Sequence, residues 1–175
     1  MGEEYGMIDE DKHLAAMLEG QGQRDLNSFV NMKGSECLNE DNDHPFLCCL
    51  SPGPGHLQSD CDEQLLLSLA FRQPVKIHSI IIKAPKDNGP KTVRMFINHP
   101  NSLDFDGAEN MISIQDLEVT PAQLEGGQMI PVKQVKFQSV HNLQLFVKDN
   151  QAGTEVTVVN QINVIGTTVD KFSKL

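Results

Sequence analysis

The chain has 175 residues, of which 39% are hydrophobic, and its 24 acidic and 14 basic residues give a formal net charge of −10. This length predicts one domain with its own hydrophobic core. So acidic a chain lacks the basic footprint of a DNA- or RNA-binding protein, and an anionic membrane would repel it. We therefore expect a partner with a basic patch, and neither nucleic acid nor membrane binding.

The two ends of the chain are predicted to be tails. Residues 1–24 are acidic and rich in Gly and Gln, which predicts a flexible segment with one short helical turn over residues 11–19. They lack the basic start and apolar centre of a secretory signal, so we expect an intracellular protein with reduced cysteines. Residues 169–175 form the second tail, and its last three residues, Ser173, Lys174 and Leu175, have the form of a peroxisomal targeting signal.

The segment between the tails, residues 25–168, shows the pattern of a β domain. Loop-forming residues extend to Gly55, and from Gln64 onward apolar and polar residues alternate with a period of two. The predicted strands are residues 65–71, which Pro74 ends, and residues 75–82, 92–97, 113–119, 135–140, 143–148 and 156–165. Thr120 and Pro121 predict one helical turn. Many short strands without a long helix predict an all-β sandwich or jelly roll.

The cysteines, at positions 37, 48, 49 and 61, form no Cys-x-x-Cys pair. Zinc ligands usually come in pairs two to four residues apart, whereas Cys48 and Cys49 are adjacent, so their side chains tend to point to opposite sides. Four ordinary thiols are the favoured interpretation. The alternative is a metal site made by Cys37, His44, one of the adjacent pair and Cys61.

Two acidic segments, residues 36–43 and 60–63, are candidates for function. The carboxylates and amides of residues 36–44, and the carboxylates of residues 104–106, could bind calcium. The spacing and glycine of an EF-hand loop are absent from both, so we predict solvated turns. The carboxylates around Cys61 should raise the pKa of its thiol and make it a poor nucleophile. We predict that a partner binds to the acidic side chains of Glu36, Glu40, Asp41, Asp43, Asp60, Asp62 and Glu63.

No recognised catalytic or cofactor motif occurs in the chain. There is no Gly-x-Ser-x-Gly elbow, phosphate loop or dinucleotide fingerprint, and the six histidines are not spaced as metal ligands. We therefore predict no catalytic residue, no cofactor and no bound metal.

Several specific strings resemble the PITH domain family and occur in the order of the family between residues 25 and 168. They are GSECLNE (34–40), QSDCDEQLL (58–66), GPKTV (89–93), FIN (96–98), VKFQSV (135–140) and TEVT (154–157), followed by Ile165 and Gly166. The resemblance implies a galactose-binding-like jelly-roll β-sandwich without catalytic residues, which associates with the 26S proteasome in the cytoplasm or nucleus. The thioredoxin domain of two-domain members, with its Cys-x-x-Cys, has no counterpart in these 175 residues, so we expect no disulfide reductase activity.

The predicted function is a monomeric, non-enzymatic protein-interaction module that docks on the proteasome. One alternative is a jelly roll that binds a small ligand or a carbohydrate, although the absence of Trp and the single Tyr argue against an aromatic binding platform. A redox or metal enzyme is the second alternative.

Overall fold

The computed structural model describes residues 12–169, which fold mainly into antiparallel strands. Residues 12–20 form helix α1, and the later helices are α2 (Leu47–Leu50), α3 (Phe105–Asn110) and α4 (Pro121–Gly126). Strands in the described residues are β1 (Arg24–Asp25), β2 (Glu36–Leu38), β3 (Leu57–Gln58), β4 (Leu65–Lys83), β5 (Thr92–Ile97), β6 (Gln115–Glu118), β7 (Met129–Pro131), β8 (Val140–Val147), β9 (Val158–Val159) and β10 (Gln161–Thr168).

Strand β4, 19 residues long, runs through both halves of the fold. Its first half pairs with β2 and β8, and its second half pairs with β7 and β10. On one side of β4, β8 also pairs with β5, and β5 pairs with β6. On the other side, β10 also pairs with β1. A strand that passes from one group of strands to another makes a corner of a sandwich.

The prediction that Pro74 ends a strand is wrong, because β4 continues through it. Pairing between β4 and β8 is interrupted between Ala70 and Val75. Proline lacks a backbone N–H, and it is tolerated within a sheet at such interruptions, where no ladder hydrogen bond is lost. The two strands predicted from residues 65–82 are therefore one.

Both faces of the first half of β4 are buried. One face belongs to the main core, and its side chains are at most 9% exposed: Leu65, Leu67, Leu69 and Phe71. On the opposite face Leu66 packs with Phe96, Phe146 and Ala108 of α3. The continuous apolar run in the sequence thus reflects a strand that is covered on both sides.

A bulge in the second half of β4 shifts the alternation predicted there. Ile165 of β10 pairs with Ser79, but the next residue, Gly166, pairs with Ile77, so His78 is the extra residue. Because side chains alternate with a period of two, one extra residue moves every later side chain to the other face.

Beyond the bulge, Ile80 and Ile82 join the main core, whereas Ile81 faces the other way. There Ile81 packs with Ile165 and with Leu18 of α1, which is only 1% exposed. Helix α1 lies in the segment predicted as the N-terminal tail, so the packed structure extends to residues before 25.

Two local predictions have opposite outcomes. The helix after Thr120 is confirmed, because Thr120 Oγ1 accepts from the backbone N of Gln123 at 3.2 Å and Pro121 is the first helical residue. The strand predicted at residues 135–140 is wrong. A 3-10 turn at Gln134–Lys136 leaves Val135 84% exposed, and β8 begins only at Val140.

Several predictions fall on residues outside the described ones. They are the first eleven residues of the N-terminal tail, residues 170–175 of the C-terminal tail, and the targeting signal at Ser173, Lys174 and Leu175. Within residues 12–169, no helix has the length and apolar character needed to cross a bilayer.

Candidate interaction surface

Asn39 joins the two acidic segments. Its Nδ2 donates to Oδ1 of Asp62 at 2.9 Å and to the carbonyl oxygens of Asp62 and Gln64 at 3.2 and 2.7 Å, while its Oδ1 accepts from the backbone N of Cys61 at 3.0 Å. Its φ of 71° lies in the left-handed region, which asparagine adopts more readily than most residues. Residues 36–43 and 60–63 therefore lie side by side.

The carboxylates of these two segments form what we call the acidic surface: Glu36, Glu40, Asp41, Asp43, Asp60, Asp62 and Glu63. Glu36, Asp43, Asp60 and Asp62 are exposed, and the other three are half-buried. Within residues 12–169, none of the seven lies within ion-pair distance of a basic side chain, since the ion pairs found there join Arg94 to Asp116 and Lys148 to Glu109. The surface thus has a negative field that a cationic group can neutralise.

Two buried hydroxyl residues anchor the segment 60–63. Ser59 and Thr157 exchange hydrogen bonds, from Ser59 N to Thr157 O and from Thr157 N to Ser59 Oγ, both at 2.9 Å. Thr157 Oγ1 also donates to the carbonyl oxygen of Glu63 at 2.6 Å. The loop is held on the paired strands β3 and β9, and sequence reasoning missed this contact between residues 98 positions apart.

The segment 36–43 has a structural role as well. Oε1 of Glu40 accepts from the backbone N of Phe46 at 3.2 Å, immediately before α2, so part of its charge stabilises the start of that helix. His44 follows in a turn closed by its N–H to the carbonyl oxygen of Asp41, and its ring stacks on His56 with centroids 4.2 Å apart.

The cysteines lie in different environments. Burial raises the pKa of Cys37, and it raises the pKa of Cys49 to about 12. Cys61 is exposed, and its pKa is raised mainly by the charge of Asp60, which confirms the predicted effect of its acidic neighbours. All four thiols are free. Among residues 12–169 no group of three or more His, Cys, Asp and Glu side chains is placed to hold a metal ion, so the alternative metal site is not found there.

The smaller acidic candidate, residues 104–106, caps a helix. Oδ1 of Asp104 accepts from the backbone N of Gly107 at 2.7 Å, at the start of α3. This carboxylate therefore satisfies a backbone donor of α3, as the prediction of a turn implied.

The fold resembles known carbohydrate-binding modules. A family 32 module of NanJ from Clostridium perfringens, solved with galactose, superposes with a TM-score of 0.61 over 82% of this chain and 98% of that one, at 9% identity. A second such module of the same organism, from a family 89 enzyme, gives a TM-score of 0.57 at 10% identity over 80% and 98% of the two chains. These similarities define a galactose-binding-like jelly-roll β-sandwich, and at this identity they show the fold alone.

The family is shown by sequence. The PITH domain profile matches residues 17–174, and the chain belongs to the PITH domain family. Thioredoxin-like protein 1 of Schizosaccharomyces pombe is 34% identical over 159 residues, which is 88% of this chain and 55% of that protein. A PITH domain-containing protein of Drosophila melanogaster is 30% identical over 148 residues, covering 81% of this chain and 68% of that protein. The chain thus spans about half the length of the yeast relative.

Proposed function

We propose that this chain is a non-enzymatic protein-interaction module that docks on the 26S proteasome, in the cytoplasm or nucleus, through the acidic surface. Membership of the PITH domain family supports an interaction module. The observation that carries the choice of surface is the clamp made by Asn39, which holds the two acidic segments together. Among residues 12–169, no basic side chain lies within ion-pair distance of their carboxylates.

The expected mechanism is electrostatic complementarity with a basic patch of the partner. Seven carboxylates on one surface attract such a patch during diffusion, and this attraction raises the association rate more than the final affinity. Because salt screens charges that remain in solvent, the association should weaken as ionic strength rises. Asn39 contributes by fixing the relative position of the two segments, so the partner meets a rigid surface.

The test is capture of proteasomes from cell lysate with the full chain as bait. The triple variant Glu36→Gln, Asp43→Asn and Asp60→Asn removes three exposed charges that make no side-chain hydrogen bond needed by the backbone. We expect recovery of proteasome subunits by the unchanged chain and recovery reduced about tenfold by the variant, measured by quantitative mass spectrometry.

A matched control separates the acidic surface from net charge. Asp106→Asn, Glu125→Gln and Glu155→Gln also neutralise three exposed carboxylates, but they lie outside the acidic surface. This control should capture proteasomes as well as the unchanged chain does. Equal losses in both triple variants would show that only net charge matters, and recovery of no proteasome subunit by the unchanged chain would refute the docking.

A second candidate function is carbohydrate binding, which is favoured by the fold shared with modules solved with galactose. The absence of Trp from the chain, and the position of its single Tyr at residue 5, argue against the aromatic platform that carbohydrate sites usually have. Titration with galactose in a thermal-shift assay discriminates the two, because a ligand that binds the folded state raises the melting temperature with its concentration.

A further inference from the structure

A cleft of about 900 Å³ lies apart from the acidic surface, between α1, β1, the end of α2 and the start of β10. Apolar side chains of the lining include Leu14 of α1, Leu50 of α2 and Pro52. Its volume is that of a site for a small molecule or for a side chain with part of its backbone.

The lining contains a fixed carboxylate, that of Asp25. Its Oδ1 accepts from the backbone N of Asn27 at 2.8 Å and its Oδ2 accepts from Nδ2 of Asn163 at 2.8 Å. Asn163 is in turn held by Gln161, whose Nε2 donates to Oδ1 of Asn163 at 2.8 Å. Each carboxylate oxygen can accept a further hydrogen bond, so this network orients Asp25 without using its full capacity.

The charges of the cleft are not balanced within the described chain. Glu19 of α1 is a second carboxylate of the lining, and neither it nor Asp25 makes an ion pair within residues 12–169. The basic side chain that also lines the cleft, Arg24, has its guanidinium carbon 4.9 Å from the centroid of the Phe29 ring and is engaged there.

Two carboxylates beside leucine and proline side chains match a particular ligand chemistry. A long alkyl stem can pack on the apolar part while a cationic head donates to carboxylate and amide oxygens. Lysine and arginine side chains have this form. A phosphate or another anion would instead be repelled by Glu19 and Asp25.

We propose that this cleft receives a lysine or arginine side chain from a segment of a protein partner. The proposal rests on the proposed function only in taking the partner to be a protein, and it assigns a contact separate from the acidic surface.

The test uses the full chain and three capped tripeptides with arginine, lysine or norleucine between two glycines. We expect the arginine and lysine peptides to shift the side-chain amide signals of Asn27, Gln161 and Asn163 in NMR titrations, with a Kd on the order of 1 mM. The norleucine peptide, which has the stem without the charge, should leave these signals unchanged. Absence of shifts with both cationic peptides at saturating concentration would overturn the proposal, as would tighter binding of spermidine than of either peptide.

Variants locate the site. Glu19→Gln should weaken binding of the arginine peptide several-fold, and Ser51→Lys, which places a competing ammonium in the lining, should abolish it. Asp25→Asn should also weaken it about tenfold, with the melting temperature measured in parallel because Asp25 accepts two internal hydrogen bonds. Glu125→Gln, an exposed carboxylate outside the cleft, should bind as the unchanged chain does.

The peptide assay and proteasome capture can fail separately. Peptide binding without proteasome capture supports the cleft and removes only the proposed docking. If the triple variant of the acidic surface loses peptide binding while Glu19→Gln retains it, the peptide binds to the acidic surface and the cleft proposal is refuted.

Discussion

At the scale of single residues, the side chain of Cys61 shows that exposure does not by itself make a thiol reactive. The carboxylate of Asp60 repels the thiolate and accepts a hydrogen bond from Sγ at 3.7 Å, and both effects raise the pKa of Cys61. Because the thiolate is the nucleophile, a raised pKa lowers the reactive fraction at neutral pH. Cys37 and Cys49 are kept protonated mainly by burial.

The substitution Asp60→Asn should therefore speed alkylation of Cys61 by iodoacetamide at pH 7.5. Removing the negative charge lowers the pKa of the thiol, so the midpoint of the rate against pH should move to lower pH. Peptide mass spectrometry measures the alkylation rate of each cysteine separately. As the control, Asp43→Asn removes a carboxylate that does not contribute to the pKa shift of Cys61, and an equal acceleration in this control would contradict the assignment to Asp60.

Sequence proximity decided what could be predicted at this scale. The effect of carboxylates on Cys61 was readable because Asp60 and Asp62 are its neighbours in the chain. The clamp by Asn39 reaches Gln64, 25 positions away, and the anchor of Ser59 is Thr157, 98 positions away. A single polar residue in a loop carries no periodic signal, so these supports of the acidic surface required the structure.

At the scale of elements, β4 organises the sheets, and its bulge depends on a glycine in β10. Gly166 lies at the shift of register opposite Ile77. A Cβ added to Gly166 would overlap the carbonyl oxygen of Lys76, so the two backbones approach more closely than any other residue would allow.

Replacement of this glycine, Gly166→Ala, should lower the free energy of unfolding by about 3 kcal/mol, because the Cβ must displace the backbone of β4. Urea denaturation measures the change. Gly20→Ala provides the comparison, since nothing lies within 4 Å of a Cβ added there and alanine favours the helix. If Gly166→Ala lowers the free energy of unfolding no more than Gly20→Ala does, β4 and β10 can move apart at this position without loss of stability.

Strand positions were predictable where burial imposes the alternation of apolar and polar residues, as in residues 65–71. They were not predictable where a similar alternation occurs in residues that do not form a strand. The residues of VKFQSV alternate as a strand would, but only Phe137 and Val140 are fully buried, and the first residues form a 3-10 turn. Short strands such as β3 and β9, of two residues each, are too brief for a period to be recognised.

At the scale of the whole molecule, α1 extends the packed structure beyond the segment that the strand pattern delimits. Leu18 is buried against Ile81 and Ile165, on the face of the sheet opposite the main core. The helix was foreseen as a short turn in a flexible tail, because its acidic flanks suggested little burial. Leu14, one helical turn before Leu18, packs against the same cluster and is partly buried. Two leucines four residues apart are a weak helical signal, and composition alone does not reveal it.

Truncation of this side chain, Leu18→Ala, should lower the free energy of unfolding by about 3 kcal/mol, as expected for a buried leucine. Met17→Ala is the matched control, because Met17 precedes it on the same helix and is 39% exposed. Chemical denaturation compares the two. A cost below about 1 kcal/mol for Leu18→Ala would mean that α1 adds little to the stability of the domain.

The pairing of β4 also constrains when the domain can fold during its synthesis. The second half of β4 pairs with residues 161–168, so its partner is made more than 75 residues after β4 itself. Until then the isoleucines of that half can pair with β7 at most, because pairing with β10 cannot begin before both strands have left the ribosome. We therefore expect this half of β4 to be the segment that chaperones for apolar sequences bind in the nascent chain, until β10 has been made and can pair with it.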